Sequence, residues 1–206
     1  MYFDTYFSGG ASGGHYYAAQ RSGEIAATLG ALGHLARLRW TQATMKLVLK
    51  RIRVGISVSG AVTTAVEFNL RAIVVRNFTV DFTTAITMVN PSKARDEMPP
   101  SKMQAGGPGI CTTAVLSGQT LTADAAPFAM ATFPVLTPTN STGTAVAVPV
   151  GTSVPMTTLY EQAAHGQHPV VLGQNEGIVV QPVTAGPASG TFALYCAWEW
   201  AEVLSY

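Results

Sequence analysis

Thr191-Phe-Ala-Leu-Tyr-Cys-Ala-Trp-Glu-Trp-Ala-Glu-Val203 is the stretch on which the fold turns. Phe192, Leu194, Cys196, Trp198 and Trp200 share one parity, and Tyr195, Ala197 and Glu199 hold the other. Alternation with a period of two marks a strand with one buried face. Trp198 and Trp200 sit on the same parity as Phe192 and Leu194, so they read as core rather than as a sugar-stacking platform. Glu199 and Glu202 fall on opposite sides of the strand. That weighs against a glycosidase pair, whose two carboxyls must face each other across a few ångströms.

Outward from this strand, Met45 to Ser59 is its natural partner. Leu47 and Leu49 are odd, whereas Ile52, Val54, Ile56 and Val58 are even. A β-bulge at Lys50-Arg51 would repair that one-residue shift. Ala36, Leu38 and Trp40 alternate with Arg37, Arg39 and Thr41, which predicts a strand whose arginines face water. Ala65 to Arg76 alternates Phe68, Leu70, Ala72 and Val74 against Glu67, Asn69 and Arg71. The short gap Gly60-Ala-Val-Thr-Thr64 predicts a hairpin between this strand and the one before it. His15 to Ala36 reads as strand, then loop. Val89 to Gly109 is rich in turn residues and predicts a long loop. Cys111 to Thr122 predicts a strand, and Thr158 to Gln162 a helical turn. Proline between Ala125 and Thr158 confines that region to edge strands and extended loops. Gln174-Asn-Glu-Gly177 predicts a turn, with Gly177 at positive φ.

With eight or so strands and no strong amphipathic helix, the chain is expected to be all-β. An antiparallel β-sandwich, jelly-roll-like, would occupy 15–206 as a single domain. Residues 1–14 are expected to form an extended N-terminal arm. Tyr2, Phe3, Tyr6 and Phe7 precede the glycine-rich run Ser8 to Gly14. Aromatics on a glycine tether are costly to leave in water and are expected to dock on this domain or on a neighbouring copy.

Only 11% of the 206 residues are charged, against about 25% in an average soluble domain. Thr, Ser, Ala and Gly take their place, a composition suited to large protein contacts. All twelve Lys and Arg lie in the first 102 positions. From Met103 onward the charged residues are Asp124, Glu161, Glu176, Glu199 and Glu202. The split could let one copy attract the next, and Lys50, Arg51 and Arg53 are expected to meet an acidic neighbour. A formal net charge of +1 argues for no specific nucleic acid. No run reaches the ~18 apolar residues of a membrane span, and no signal-peptide pattern is visible at Met1 to Ser8. Cys111 and Cys196 are expected to be buried free thiols.

The sequence offers no nucleophile motif and no phosphate-cradling loop. His165 and His168 with Glu176 lie in loop sequence, which lacks the geometry of a metal pair. No catalytic residue, metal ligand or cofactor is therefore expected.

His168-Pro-Val-Val-Leu-Gly-Gln-Asn-Glu-Gly-Ile-Val-Val, followed by Gly-Thr-Phe and Trp-Glu-Trp-Ala-Glu-Val-Leu-Ser-Tyr206, resembles the C-terminal pattern of a group of tailed-bacteriophage virion structural proteins. Arg37 to Arg76 and Cys111 to Asp124 also resemble that group. The resemblance implies a capsid-associated β-sandwich, with head decoration (cement) as its role and no site residues to transfer. The partners it implies are the major capsid protein and copies of the chain itself, as a homo-oligomer on the virion surface. The expected protein interface is Tyr2, Phe3, Tyr6, Phe7, Lys50, Arg51 and Arg53. A receptor- or carbohydrate-binding fibre or tail module, and a shell-forming jelly-roll capsid protein, are the alternatives.

Overall fold

A computed structural model describes residues 14–26, 29, 32–60, 66–83, 85–87, 92–93, 100–103, 107–136, 153–162, 168–186 and 190–204. Their strands, in chain order, are β1 (Gly14–Arg21), β2 (Ile25–Ala26), β3 (Ala36–Trp40), β4 (Lys46–Gly60) and β5 (Val66–Val80). Next come β6 (Ala85–Thr87), β7 (Ser92–Lys93), β8 (Gly109–Cys111), β9 (Thr120–Ala123) and β10 (Ala129–Leu136). The last are β11 (Ser153–Glu161), β12 (Val171–Leu172), β13 (Glu176–Pro182) and β14 (Thr191–Val203). No helix occurs among the described residues.

Two antiparallel sheets form a β-sandwich. The first runs β11-β4-β14-β1-β7, with β12 added on β4 and β2 on β14. The second runs β10-β5-β13-β3-β8-β6, with β9 added on β5. The alternation of β14 places Trp198 and Trp200 in the core between the sheets, where both are buried. Tyr16, Leu49, Ile52 and Val54 join them from the first sheet, and Leu38, Trp40, Phe68 and Ile178 meet them from the second. Phe68 on β5 and Phe192 on β14 pack edge to face, with ring centroids 5.1 Å apart. That geometry adds about 0.5–1.5 kcal/mol to the area the rings bury.

The bulge expected on β4 is present. Glu199 pairs with Arg51 and Trp200 with Leu49, which leaves Lys50 as the extra residue. Leu49 and Ile52 are consequently both buried despite their opposite parity. The proline rule also holds. Pro134 lies in β10 and Pro155 in β11, each at the end of its sheet and inside a register shift.

Four expectations fail. β4 and β5 do not form a hairpin, because they belong to different sheets. Both edges of β4 are already taken, by β14 on one side and by β11 and β12 on the other. Residues 61–65 between the two strands lie outside the described set. Thr158 to Gln162 is not a helical turn. It belongs largely to β11, where Glu161 pairs with Arg51 and Leu159 is buried. Cys111 to Thr122 is not one strand. It breaks after Cys111 into bends, with Gly118 at φ 82, before β9. Arg37 does not face water and is 1% exposed, because residues 107–109 cover it.

The Gln174 to Gly177 turn joins β12 to β13 as expected, but its glycine works differently. Asn175 takes the positive φ, at 59°. It donates from its amide to the Trp40 carbonyl at 2.9 Å and accepts from the Phe78 amide at 2.8 Å. Glu176 accepts from the Gly173 amide at 2.6 Å and pairs with Arg76 at 2.6 Å. At Gly177 a Cβ would lie 2.5 Å from the Leu38 carbonyl oxygen and 2.7 Å from Phe78 Cδ1. Glycine is needed there for close packing of β13 on its neighbours, not for backbone handedness.

Cys111 and Cys196 are both buried and free. Burial pushes the Cys111 thiol up to about 12, and Cys196 higher still, with Cys111 nearby adding to its shift. Only the thiolate is nucleophilic. The native protein is therefore expected to leave both thiols unmodified by a water-soluble disulfide reagent at pH 8, with two reacting once denaturant unfolds it. Release at the free-thiol rate from the folded protein would contradict this burial.

Candidate protein-binding groove

The outer face of the first sheet carries three rows of side chains, set by strand register. One row is Tyr17, Glu199 and Arg51, on β1, β14 and β4. The next is Ala19, Ala197 and Arg53. The third is Arg21, Tyr195 and Gly55. Two alanines thus lie between taller rows, and the surface is recessed there. The recess encloses about 260 Å³, with Tyr17, Arg51, Arg53 and Glu199 among its lining residues.

The walls are held by ion pairs. Arg51 donates from Nε and Nη2 to Glu199 Oε2 at 2.9 and 2.6 Å. His15 Nε2 lies 2.9 Å from the other oxygen, Oε1. Arg51 also reaches Glu161 at 3.7 Å. In the third row, Arg21 donates to the Tyr195 hydroxyl at 3.2 Å, lies 5.8 Å from that ring's centroid, and pairs with Glu24 at 2.6 Å. Exposed pairs of this kind are screened by water and add little to stability. Their effect here is to hold the side chains that frame the recess. Arg53 differs: it is exposed and makes no ion pair among the described residues. Tyr17, on the opposite rim, is 49% exposed.

No protein-family model, curated protein or solved structure matches this chain.

Of the residues expected at an interface, Tyr2, Phe3, Tyr6 and Phe7 lie outside the described set. Lys50 is the bulge residue, and its carbonyl accepts from the Gln162 amide at 2.8 Å. Arg51 does meet acidic groups, but they are Glu199 and Glu161 of its own chain. Arg76 likewise pairs with Asp124 and Glu176. The split between a basic first half and an acidic second half is therefore largely closed within one molecule. Of the three basic candidates, Arg53 alone combines exposure with a place on the groove.

Tyr17, Ala19 and Ala197 were not anticipated. Their parity was readable in His15, Tyr17, Ala19 and Arg21, and again in Tyr195, Ala197 and Glu199. What period two cannot supply is that β1 and β4 both flank β14. Among the described residues, no group of three His, Cys, Asp or Glu side chains is placed to hold a metal ion.

Proposed function

We propose that this protein is a non-enzymatic virion structural protein, a decoration or cement protein that binds the outside of a bacteriophage head shell and stabilises it. The observation that carries the reading is the outer face of the first sheet. Its charges are mostly neutralised inside the chain, and it keeps an apolar recess bounded by one exposed tyrosine and by Arg53, which makes no ion pair among the described residues. Interface cores are depleted of charge and enriched in Tyr and Arg, so this face suits a protein partner better than a polyanion. The C-terminal resemblance to tailed-phage virion proteins supports the setting, and a jelly-roll connectivity is part of this proposal. The partners are the major capsid protein and further copies of this chain. Many copies, each burying on the order of 1,000 Å² against the shell, raise the free energy of opening it by mass action.

The receptor-binding alternative has less support, because one of its aromatic candidates is buried and the other is half-buried and engaged. The Trp198 ring is buried in the core. Tyr160 packs edge to face on Phe128 at 5.3 Å, and its hydroxyl accepts from the Val170 amide at 3.3 Å.

The test is cosedimentation of the purified protein with heads that lack it, alongside the temperature at which those heads release DNA. Saturable binding that raises this temperature is expected, and Arg53→Glu should weaken binding about tenfold or more, as for an interfacial charge reversal. Absence of binding at micromolar protein would overturn the cement role.

A further inference from the structure

We infer that the groove takes an extended segment of the shell protein in which an aromatic side chain is followed, two residues later, by a carboxylate. The ring lies over Ala19 and Ala197, and the carboxylate meets the Arg53 guanidinium. That the segment belongs to the shell rests on the head-binding reading above; its chemistry follows from the groove.

Size is the first argument. The recess encloses about 260 Å³. Pockets that hold drug-sized molecules run to about 300–1,000 Å³, so this one suits a protein side chain rather than a free ligand. Its floor is Ala19 and Ala197, which are neighbours in register. The exposed Tyr17 ring stands beside that floor. An aromatic side chain fills such a place well. It brings a large apolar area at little cost in rotamer freedom, and it gains edge-to-face contact with a second ring.

Charge is the second. Arg53 continues the alanine row, is exposed, and makes no ion pair among the described residues. In the row beside it, Arg51 already holds Glu199 and Glu161. One available cation next to two carboxylates suits a single anion and repels a run of phosphates. A second copy of this chain is a poor source of that anion. Every described carboxylate outside the core pairs with an arginine, and Glu202 is buried. The acid is therefore assigned to a different protein.

Spacing is the third. Neighbouring strands lie about 4.8 Å apart, which puts Arg53 about 7 Å across the sheet from the middle of the alanine pair. In an extended segment, side chains two residues apart share a face at about the same spacing, roughly 6.8 Å. The segment thus runs across the strands, and the residue between ring and acid points away from the sheet.

The test titrates the full isotope-labelled chain with two synthetic peptides, followed by NMR. One is acetyl-Ala-Phe-Ser-Asp-Ala-amide and the other has Asn in place of Asp. At millimolar peptide the Ala19, Ala197 and Arg53 amide signals are expected to move, while Thr122 and Val80 on the second sheet stay. The Asp peptide should bind about two- to fivefold more tightly, the fold-change for one exposed charge pair. Arg53→Gln should erase that preference and keep the weaker ring contact. Ala197→Leu, which fills the floor, should weaken both peptides. Both positions lie on the outer face, and unchanged tryptophan resonances confirm the fold. Equal affinity of the two peptides for the native chain would overturn the carboxylate, and unmoved groove signals with both would overturn the ring. Self-association that Arg53→Gln abolishes would overturn the choice of a different protein. The peptides need no heads, so the two readings fail separately. Discrimination between the peptides without head binding removes the assignment to the shell along with the cement role. Head binding without discrimination removes this inference and leaves the cement role.

Discussion

Glu202→Ala is expected to destabilise the fold by about 2–4 kcal/mol, because it leaves buried neutral donors without their acceptor. Glu202 is fully buried near the end of β14. One carboxylate oxygen accepts from the Trp200 indole Nε1 at 3.2 Å and from the Ser101 hydroxyl. The other accepts from the Lys102 amide at 2.8 Å. Alanine leaves the indole and the amide without their acceptor, at roughly 1–3 kcal/mol for each buried donor. Removing the carboxylate also removes its own desolvation cost, so the total should stay below the simple sum. Tyr16 reports the same environment, its phenol pushed up to about 12 by burial first and by the Glu202 charge second. Glu202→Gln keeps the volume and one acceptor and should cost about half as much, because bonds to a charged acceptor are roughly twice as strong. Urea unfolding gives the magnitude. A local readout is trypsin: Lys102 is exposed, and its amide is held by Glu202, so the alanine variant should be cut after Lys102 under native conditions. An unchanged unfolding midpoint together with an unchanged digest would remove Glu202 from this role.

The second large effect is expected at Arg37, at about 3–5 kcal/mol for Arg37→Ala, the range for breaking a buried ion pair. Its Nε lies 2.8 Å from Asp81 Oδ1, and its Nη1 donates to the Gly107 carbonyl. Gly109 faces it in register, and a Cβ there would lie 2.8 Å from the guanidinium carbon. Burial pulls Arg37 down to about 10, against the opposing pull of Asp81. A lysine could not serve both partners, because it lacks the planar fork. Asp81 is 22% exposed, so water can recover part of its solvation when the arginine is gone. Arg37→Met combined with Asp81→Asn is therefore expected to cost less than Arg37→Met alone. A double-mutant cycle in denaturant measures this. A coupling energy near zero would mean that Arg37 acts by packing alone.

These two residues also show where period-two reading stops. The alternation of Ala36, Leu38 and Trp40 correctly predicts β3, yet it assigns Arg37 to solvent. The cover over Arg37 comes from Gly107, 70 positions along the chain, and nothing in the local pattern announces it. Glu202 is the reverse case. Its parity with Trp198 and Trp200 places it on the core face, but its partners Ser101 and Lys102 are about 100 positions away. The C-terminal motif residues prove structural: Trp200 and Glu202 bond each other, and Asn175, Glu176 and Gly177 fasten the turn to β3 and β5.

Local periodicity was enough for the all-β class, the buried face of β14 with its Cys196, the Lys50 bulge and the proline-bearing edge strands. Each depends on the identities of neighbours a few residues apart, and side-chain direction along a strand follows from those alone. Adjacency was a different matter. β4 rejects β5 and pairs with β14, bringing Arg51 to Glu199 across 148 positions. That choice pairs Arg51 with Glu199 within one molecule, sets Ala19 beside Ala197 beside Arg53, and so creates the groove. Pairing between distant strands is settled by which edges remain free and how the whole core packs, a competition that no short window of sequence contains.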